Sequence, residues 1–166
     1  MRVCLVVPMY NEEVIARSSI ETIQSYIREL PPVITLLVVN DASKDNTEKV
    51  VKEMVDKRFS DNMQLISHPL NKGYGAAIRS GIKYAIANNY DYAVFMDSDL
   101  TDHPKYLKDF YQKMTEGWDY IKGTRKSKGG GYTGVTWKRR VISRCGNIFA
   151  RIVTKIPLTD ITYGFR

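Results

Sequence analysis

Apolar residues recur along this chain in two alternating rhythms. Short runs rich in β-branched and aromatic residues lie at 3–7, 33–39, 63–66, 92–96 and 120–121, and each reads as a strand. Two of these runs are apolar nearly throughout. Between them the spacing changes to three and four. Val14, Ile15, Ser18, Ser19, Thr22, Ile23, Tyr26, Ile27 and Leu30 follow that period until Pro31-Pro32 stops the helix, and Asn11 is its predicted cap. Further helices are predicted over 47–59 behind Asn46, over 75–88, and over 104–115 with Pro104 at an opening position. Strands alternating with helices imply an α/β domain: a mainly parallel sheet with helices on both faces, whose ligands gather at the carboxyl ends of the strands.

A last helix is predicted over 137–156. At about 100° per residue, Arg140, Arg144, Arg151 and Lys155 fall on one narrow stripe, and Val141, Cys145, Ile148, Phe149, Ile152 and Ile156 fill a separate arc. Such a basic amphipathic helix suits either packing with a solvated charged edge or contact with a membrane surface. Ahead of it, residues 126–134 with Gly129-Gly130-Gly131 read as a mobile loop or an ordinary surface loop.

Length and composition narrow the picture. The 166 residues, 43% hydrophobic and 26% charged, suit a single domain spanning 1–166. A formal charge of +7 favours an anionic partner without choosing among nucleotide, lipid surface and nucleic acid. Cys4 and Cys145 are far apart and form no C-x-x-C, so neither a disulfide framework nor a zinc site is indicated, and a reducing cytosol is expected. The first apolar run is cut off by Pro8, and no run approaches the roughly 20 residues of a spanning helix. A soluble or peripheral chain is expected.

The strand ends carry the chemistry. Asp97-Ser98-Asp99 follows the run 92–96, and alternate residues of an extended chain point the same way, so both carboxylates can converge on one divalent cation that holds a diphosphate. The competing reading is a cap for the helix that follows. The other predicted ends bear Pro8-Met9-Tyr10-Asn11-Glu12, Asn40-Asp41-Ala42-Ser43, His68-Pro69-Leu70-Asn71-Lys72-Gly73 and Gly123-Thr124-Arg125. Gly73-Tyr74-Gly75-Ala76-Ala77-Ile78 has a branched residue where a dinucleotide fingerprint has its third glycine, which argues against a Rossmann dehydrogenase.

Taken in order, Pro8-Met9-Tyr10-Asn11-Glu12-Glu13, Asn40 to Thr47, Asn71-Lys72-Gly73-Tyr74-Gly75 and Asp97-Ser98-Asp99 resemble a family 2 glycosyltransferase of the GT-A fold. Gly123-Thr124-Arg125, Trp137-Lys138-Arg139-Arg140, Ile142-Ser143-Arg144 and Thr162-Tyr163-Gly164-Phe165-Arg166 resemble its polyprenyl-phosphate branch, the dolichyl-phosphate mannose and glucose synthases. The resemblance implies a nucleotide-sugar pocket of Pro8, Tyr10, Glu12, Val39, Asp41, Lys72, Asp97, Ser98 and Arg125. It implies Mg²⁺ or Mn²⁺ on Asp97 and Asp99, with Thr101 where relatives often carry Gln or Ser as a further ligand. Asp102 and His103 are left to a supporting or structural role. Catalysis would fall to Asp97, Asp99, Arg125 and Arg139, and the acceptor phosphate to Arg139 and Arg166.

The implied reaction is inverting: a polyprenyl or dolichyl phosphate attacks the anomeric carbon of GDP-mannose or UDP-glucose at the cytosolic face of a membrane. A phosphomonoester is already anionic near neutral pH and needs no general base, whereas its repulsion by a diphosphate calls for guanidinium groups. Two alternatives stand beside it. One is a family 2 transferase with a hydroxyl acceptor, which needs a downstream carboxylate such as Asp160. The other is a non-catalytic basic nucleotide- or RNA-binding module, although the basic residues form no stacking motif and no nucleic-acid partner is expected. Relatives continue beyond the position of Arg166, so C-terminal acceptor-side or membrane-associated segments are expected to be missing from a chain of this length.

Overall fold

A computed structural model describes residues 1–31, 34–57 and 61–124, together with Ile142, Cys145, Gly146, Ile148 and Val153. Residues Met1–Ile121 make one compact unit that carries all the elements below; Lys122–Phe165 belong to a second. The strands are β1 (Val3–Met9), β2 (Ile34–Asn40), β3 (Met63–Ser67) and β4 (Tyr92–Phe95), and the helices are α1 (Glu13–Ile27), α2 (Thr47–Asp56), α3 (Tyr74–Ala87) and α4 (Leu107–Thr115). Every pairing is parallel, in the order β3-β2-β1-β4.

The near-continuous apolar sequence of β1 and β2 follows from burial on both faces. Cys4, Val6, Leu37, Val39 and Phe95 face one way and pack against Ala77, Ile78 and Ala85 of α3. Val3, Leu5, Ile34 and Val94 face the other way, toward Leu107, Phe110 and Met114 of α4. α3 approaches so closely because Gly81 has no side chain; a Cβ there would lie 2.5 Å from Cγ1 of Val6, which is wholly buried.

Several boundaries differ from the sequence expectation. α1 is not capped by Asn11, which sits at φ 57° and offers its side chain to another loop; the N-cap is Glu12 and has no side-chain cap bond. The cap is supplied by tertiary contacts instead, described with the site below. α1 also ends at Ile27, and residues 28–30 form turns before Pro31, since the residue preceding a proline is disfavoured in the helical region. Pro104 opens a 3₁₀ turn (Pro104–Tyr106) rather than the α-helix itself, with the ring of His103 accepting the N–H of Lys105.

The strand expected at 120–121 does not form. The chain just ahead of it is tied to the sheet through a side chain, the Tyr92 hydroxyl donating to the Trp118 carbonyl at 3.0 Å, and Tyr120 is exposed. The loop expected at 126–134 lies outside the described residues. So does most of the helix expected at 137–156, of which Ile142, Cys145, Gly146, Ile148 and Val153 are described; each is helical and exposed.

Gly81→Ala is expected to destabilise the domain by about 1–3 kcal/mol, the usual cost of overpacking a filled core. Urea denaturation checks this, and an unchanged midpoint would show that α3 can draw back from Val6.

Candidate functional site

The chain lays down β1, β2 and β3 in one direction, then returns to the far side of β1 to make β4. The strand order therefore reverses between β1 and β4, and their carboxyl ends mark the switch point where ligands of open α/β sheets bind. A cleft of about 420 Å³ opens there, within the range of small-ligand sites. Its wall contains Pro8, Tyr10, Glu12, Asp41, Asp97, Ser98 and Asp99, all singled out from the sequence, and also Met9, Asn71, Gly73, Tyr74 and Ala77.

The β1 wall is held by a lattice of bonds between two loops. Asn11 N–H donates to Ser43 Oγ at 3.0 Å, Glu12 N–H to Thr47 Oγ1 at 2.7 Å, and Glu13 N–H to Asp45 Oδ2 at 3.1 Å. In return Lys44 N–H donates to Asn11 Oδ1 at 2.8 Å and Asn46 N–H to Glu13 Oε2 at 2.7 Å. Orphan donors at the starts of α1 and α2 are thereby satisfied reciprocally, which fixes the backbone that carries Tyr10 and Glu12. Burial acts to raise the Asp45 carboxyl, but the hydroxyl and N–H of Thr47 and the N–H of Glu13 outweigh it and hold it below the ordinary carboxylate range.

Asp41 forms the floor. Its residue is 3% exposed, and three donors reach its carboxylate: Gly73 N–H to Oδ2 at 2.7 Å, Lys72 N–H to Oδ1 at 3.0 Å, and the ring of His68 through Nδ1 at 2.6 Å. Burial pushes the carboxyl up; the N–H of Lys72, the His68 hydrogen bond, the N–H of Gly73 and the charge of His68 together pull it down further, so it stays ionised below its usual range. Gly73 can turn its N–H inward because it sits at φ 82°, a conformation a side chain would strain.

The acidic pair lies across the cleft. β4 ends at Phe95, and Ser98 and Asp99 sit in a turn, with Leu100 at φ 58° and Asp99 Oδ1 accepting Thr101 N–H at 2.9 Å. Strand alternation therefore does not aim these carboxylates; the turn does, and both still line the same cleft. Asp99 is exposed, Asp97 half-buried and Ser98 buried. Among the described residues no cluster of three or more His, Cys, Asp or Glu side chains could hold a metal ion. Two hard carboxylates suit Mg²⁺-type binding, in which a ligand's phosphates and water complete the shell.

Three expected residues do not reach the wall. Val39 is fully buried in the core beneath α3, because its position in β2 points it away from the cleft edge. Lys72 contributes its backbone N–H to Asp41 while its side chain is exposed elsewhere, and Thr101 serves the Asp99 turn with its own N–H. Arg125, Arg139 and Arg166 lie outside the described residues. Tyr74 and Ala77 were missed because a helix start reads as core or solvent; their spacing of three behind Gly73 was the available signal. His68, one of two histidines, was legible only as part of a strand-end segment.

The fold and site thus define a doubly wound α/β domain with a carboxylate-bearing ligand cleft at its switch point. Residues 4–166 match the sequence model of glycosyl transferase family 2, and the chain belongs to that family. It is 28% identical over 165 residues to a polyprenol monophosphomannose synthase of Mycolicibacterium smegmatis, covering 99% of this chain. It is 30% identical over 168 residues to an undecaprenyl-phosphate mannosyltransferase of Micrococcus luteus, covering all of this chain. It spans 60% and 65% of the length of those curated relatives. Among solved structures, the mannosyltransferase PcManGT of Pyrobaculum calidifontis in complex with GDP-Man and Mn²⁺ superposes with a TM-score of 0.52 at 22% identity, over 59% of this chain and 27% of that one. S. aureus TarS 1-349 in complex with UDP-GlcNAc gives 0.55 at 22% identity, over 76% and 39%. These neighbours establish the GT-A fold.

Asp41→Asn replaces an acceptor with a donor facing N–H groups. It is expected to cost about 1.5–3 kcal/mol at neutral pH, the range for hydrogen bonds to a charged group. Because the folded-state carboxyl lies below its ordinary value, Asp41 stabilises the fold above the unfolded pKa and loses that contribution as pH falls through the folded one. Melting curves of both proteins across the acid range should therefore converge as the pH is lowered.

Proposed function

We propose that this chain is the donor-binding, catalytic part of an inverting glycosyltransferase that moves a hexose, mannose in preference to glucose, from a nucleotide sugar to a polyprenyl phosphate. The observation that carries this reading is that Asp97 and Asp99 share one cleft with the flat face of Tyr10 and the acceptor carboxylate of Asp41. A nucleoside diphosphate has a planar base with N–H donors, ribose hydroxyls and a polyanionic tail, and this cleft offers a partner for each. The names of the two relatives support mannose and a polyprenyl acceptor.

In the proposed reaction an oxygen of the acceptor phosphate bonds to the anomeric carbon as the bond from that carbon to the diphosphate breaks, and GDP or UDP departs with the electron pair. Tyr10 and Pro8 seat the base, while Glu12 and Asp41 accept from base or ribose. Asp97 and Asp99 would hold Mg²⁺ or Mn²⁺, and Ser98 and Thr101 belong to the same turn. Bound there, such a cation supplies neutralisation of charge on the leaving oxygen. Lys72 serves through its backbone N–H, which holds Asp41; Arg125 adds positive charge on the donor side, and Arg139 and Arg166 take the acceptor phosphate, where planar guanidinium groups offset the repulsion between two anions.

A polyprenyl chain is met at a membrane surface. No described helix is long and apolar enough to cross one. Ile142, Ile148 and Val153 are helical and 71, 54 and 63% exposed, and the surrounding sequence is rich in arginine. Exposed apolar residues in a segment whose sequence is rich in arginine suit peripheral contact with anionic lipid on the cytosolic side.

Asp99→Asn is expected to lower turnover by about 100-fold or more, the scale of losing a principal electrostatic stabiliser. The assay incubates the chain with GDP-mannose or UDP-glucose, Mn²⁺ and a short polyprenyl phosphate, and reads the lipid-linked sugar by mass spectrometry. Chelation should abolish the signal and added Mn²⁺ restore it. Turnover untouched by the substitution in the metal-replete assay would refute the role given to the acidic pair.

A further inference from the structure

The hydrogen bonds of Asp41 do not end at its carboxylate. His68 receives the strand ladder through its own backbone, donating its N–H to the Asn40 carbonyl at 2.9 Å, so its ring projects from the end of β3 beside Asp41. The side chain is 8% exposed. Nδ1 lies 2.6 Å from Asp41 Oδ1, and Nε2 lies 2.8 Å from Ser80 Oγ on the second turn of α3. An ionised carboxylate only accepts, so Nδ1 carries the proton; Nε2 accepts from the Ser80 hydroxyl in the neutral ring and donates to it in the charged one. The ring therefore bridges the cleft floor to the helix whose start, with Gly73, Tyr74 and Ala77, lines the adjoining wall.

The other bonds to Asp41 come from the same stretch of chain. Lys72 and Gly73 present consecutive N–H groups to the carboxylate, and only the positive φ of Gly73 lets the second turn inward. Without the histidine, Oδ1 loses its shortest bond and the carboxylate is free to rotate away from those two amides. A Ser-His-Asp series also suggests a nucleophilic relay. Ser80 lies within α3 and does not line the cleft, so the order of the groups serves orientation.

From this we infer that His68 is a positioning residue for the nucleotide end of the cleft: it orients Asp41, and through Asp41 and Ser80 it sets the separation between the floor and the first turn of α3. This rests on the donor-cleft reading above. It assigns to His68 no contact with the substrate and no proton transfer; the benefit is a preformed wall, which spares a ligand the entropy of ordering the 71–74 turn.

The test measures GDP and UDP affinity by calorimetry on the full chain and on two variants. In His68→Asn the carboxamide nitrogen can stand near the place of Nδ1 and donate to Asp41; in His68→Leu nothing can. Affinity for the tighter-binding nucleotide should fall about tenfold in His68→Leu, a difference readily resolved by titration, and recover most of that loss in His68→Asn. Lower stability alone changes the folded fraction and leaves the dissociation constant of the folded protein where it was. Equal affinities in all three proteins, or equal losses in both variants, overturn the role of His68. A wild-type chain that binds neither nucleotide overturns the donor-cleft reading and this inference with it. Should His68→Leu fail to fold, ¹⁵N-imidazole NMR of the wild type decides: a protonated Nδ1 whose signal shifts on nucleotide addition supports the assignment, and a signal that nucleotide does not move overturns it.

Discussion

A single buried carboxylate holds the working edge of this domain together. Asp41 ends β2, the backbone N–H groups that satisfy it belong to the turn before α3, and the imidazole beside it ends β3. An ionised group with almost no solvent contact is tolerable only when donors replace the lost water, and here three do. The constraint acts in both directions. The amides keep the carboxylate charged, and the charge keeps the amides turned inward, so floor and wall of the cleft are ordered by the same interaction.

The rest of the site is arranged around that anchor by loops that brace one another. The segment after β1 is pinned to the segment after β2 by backbone N–H groups and short polar side chains, in place of ordinary local caps. The hydrophobic sheet beneath supplies rigidity, and its polar rim supplies chemistry. The acidic pair stands at the end of β4, across the switch point from the bracing, where exposed Asp99 and half-buried Asp97 can meet a ligand entering from solvent. This arrangement of rigid sheet and polar rim belongs to a chain of glycosyl transferase family 2.

Much of this was legible in the sequence because it follows from short-range periodicity. The change between an extended and a three-four rhythm placed the four strands and four helices of the described unit within a few residues, and the family resemblance carried by the strand-end motifs named seven members of the cleft wall. Errors arose where a distant partner overrode a local preference. Asn11 has the chemistry of an N-cap, yet its side chain binds Lys44 and the helix is capped from another loop. Residues 120–121 have strand-forming side chains, yet they make no ladder, and the tie to β4 is made two residues earlier, where Trp118 accepts from the hydroxyl of Tyr92.

What the sequence determined by itself is the class of fold and the identity of the acidic and aromatic groups at the rim, since alternation, helical spacing and strand ends are properties of neighbouring residues. The tertiary structure decided which of those groups share a cleft. It turned Val39 into the core and sent the backbone rather than the side chain of Lys72 to Asp41. It also joined His68 to both Asp41 and Ser80. These contacts link residues 12 to 31 positions apart, and they depend on the order in which parallel strands are laid side by side, which no local pattern encodes.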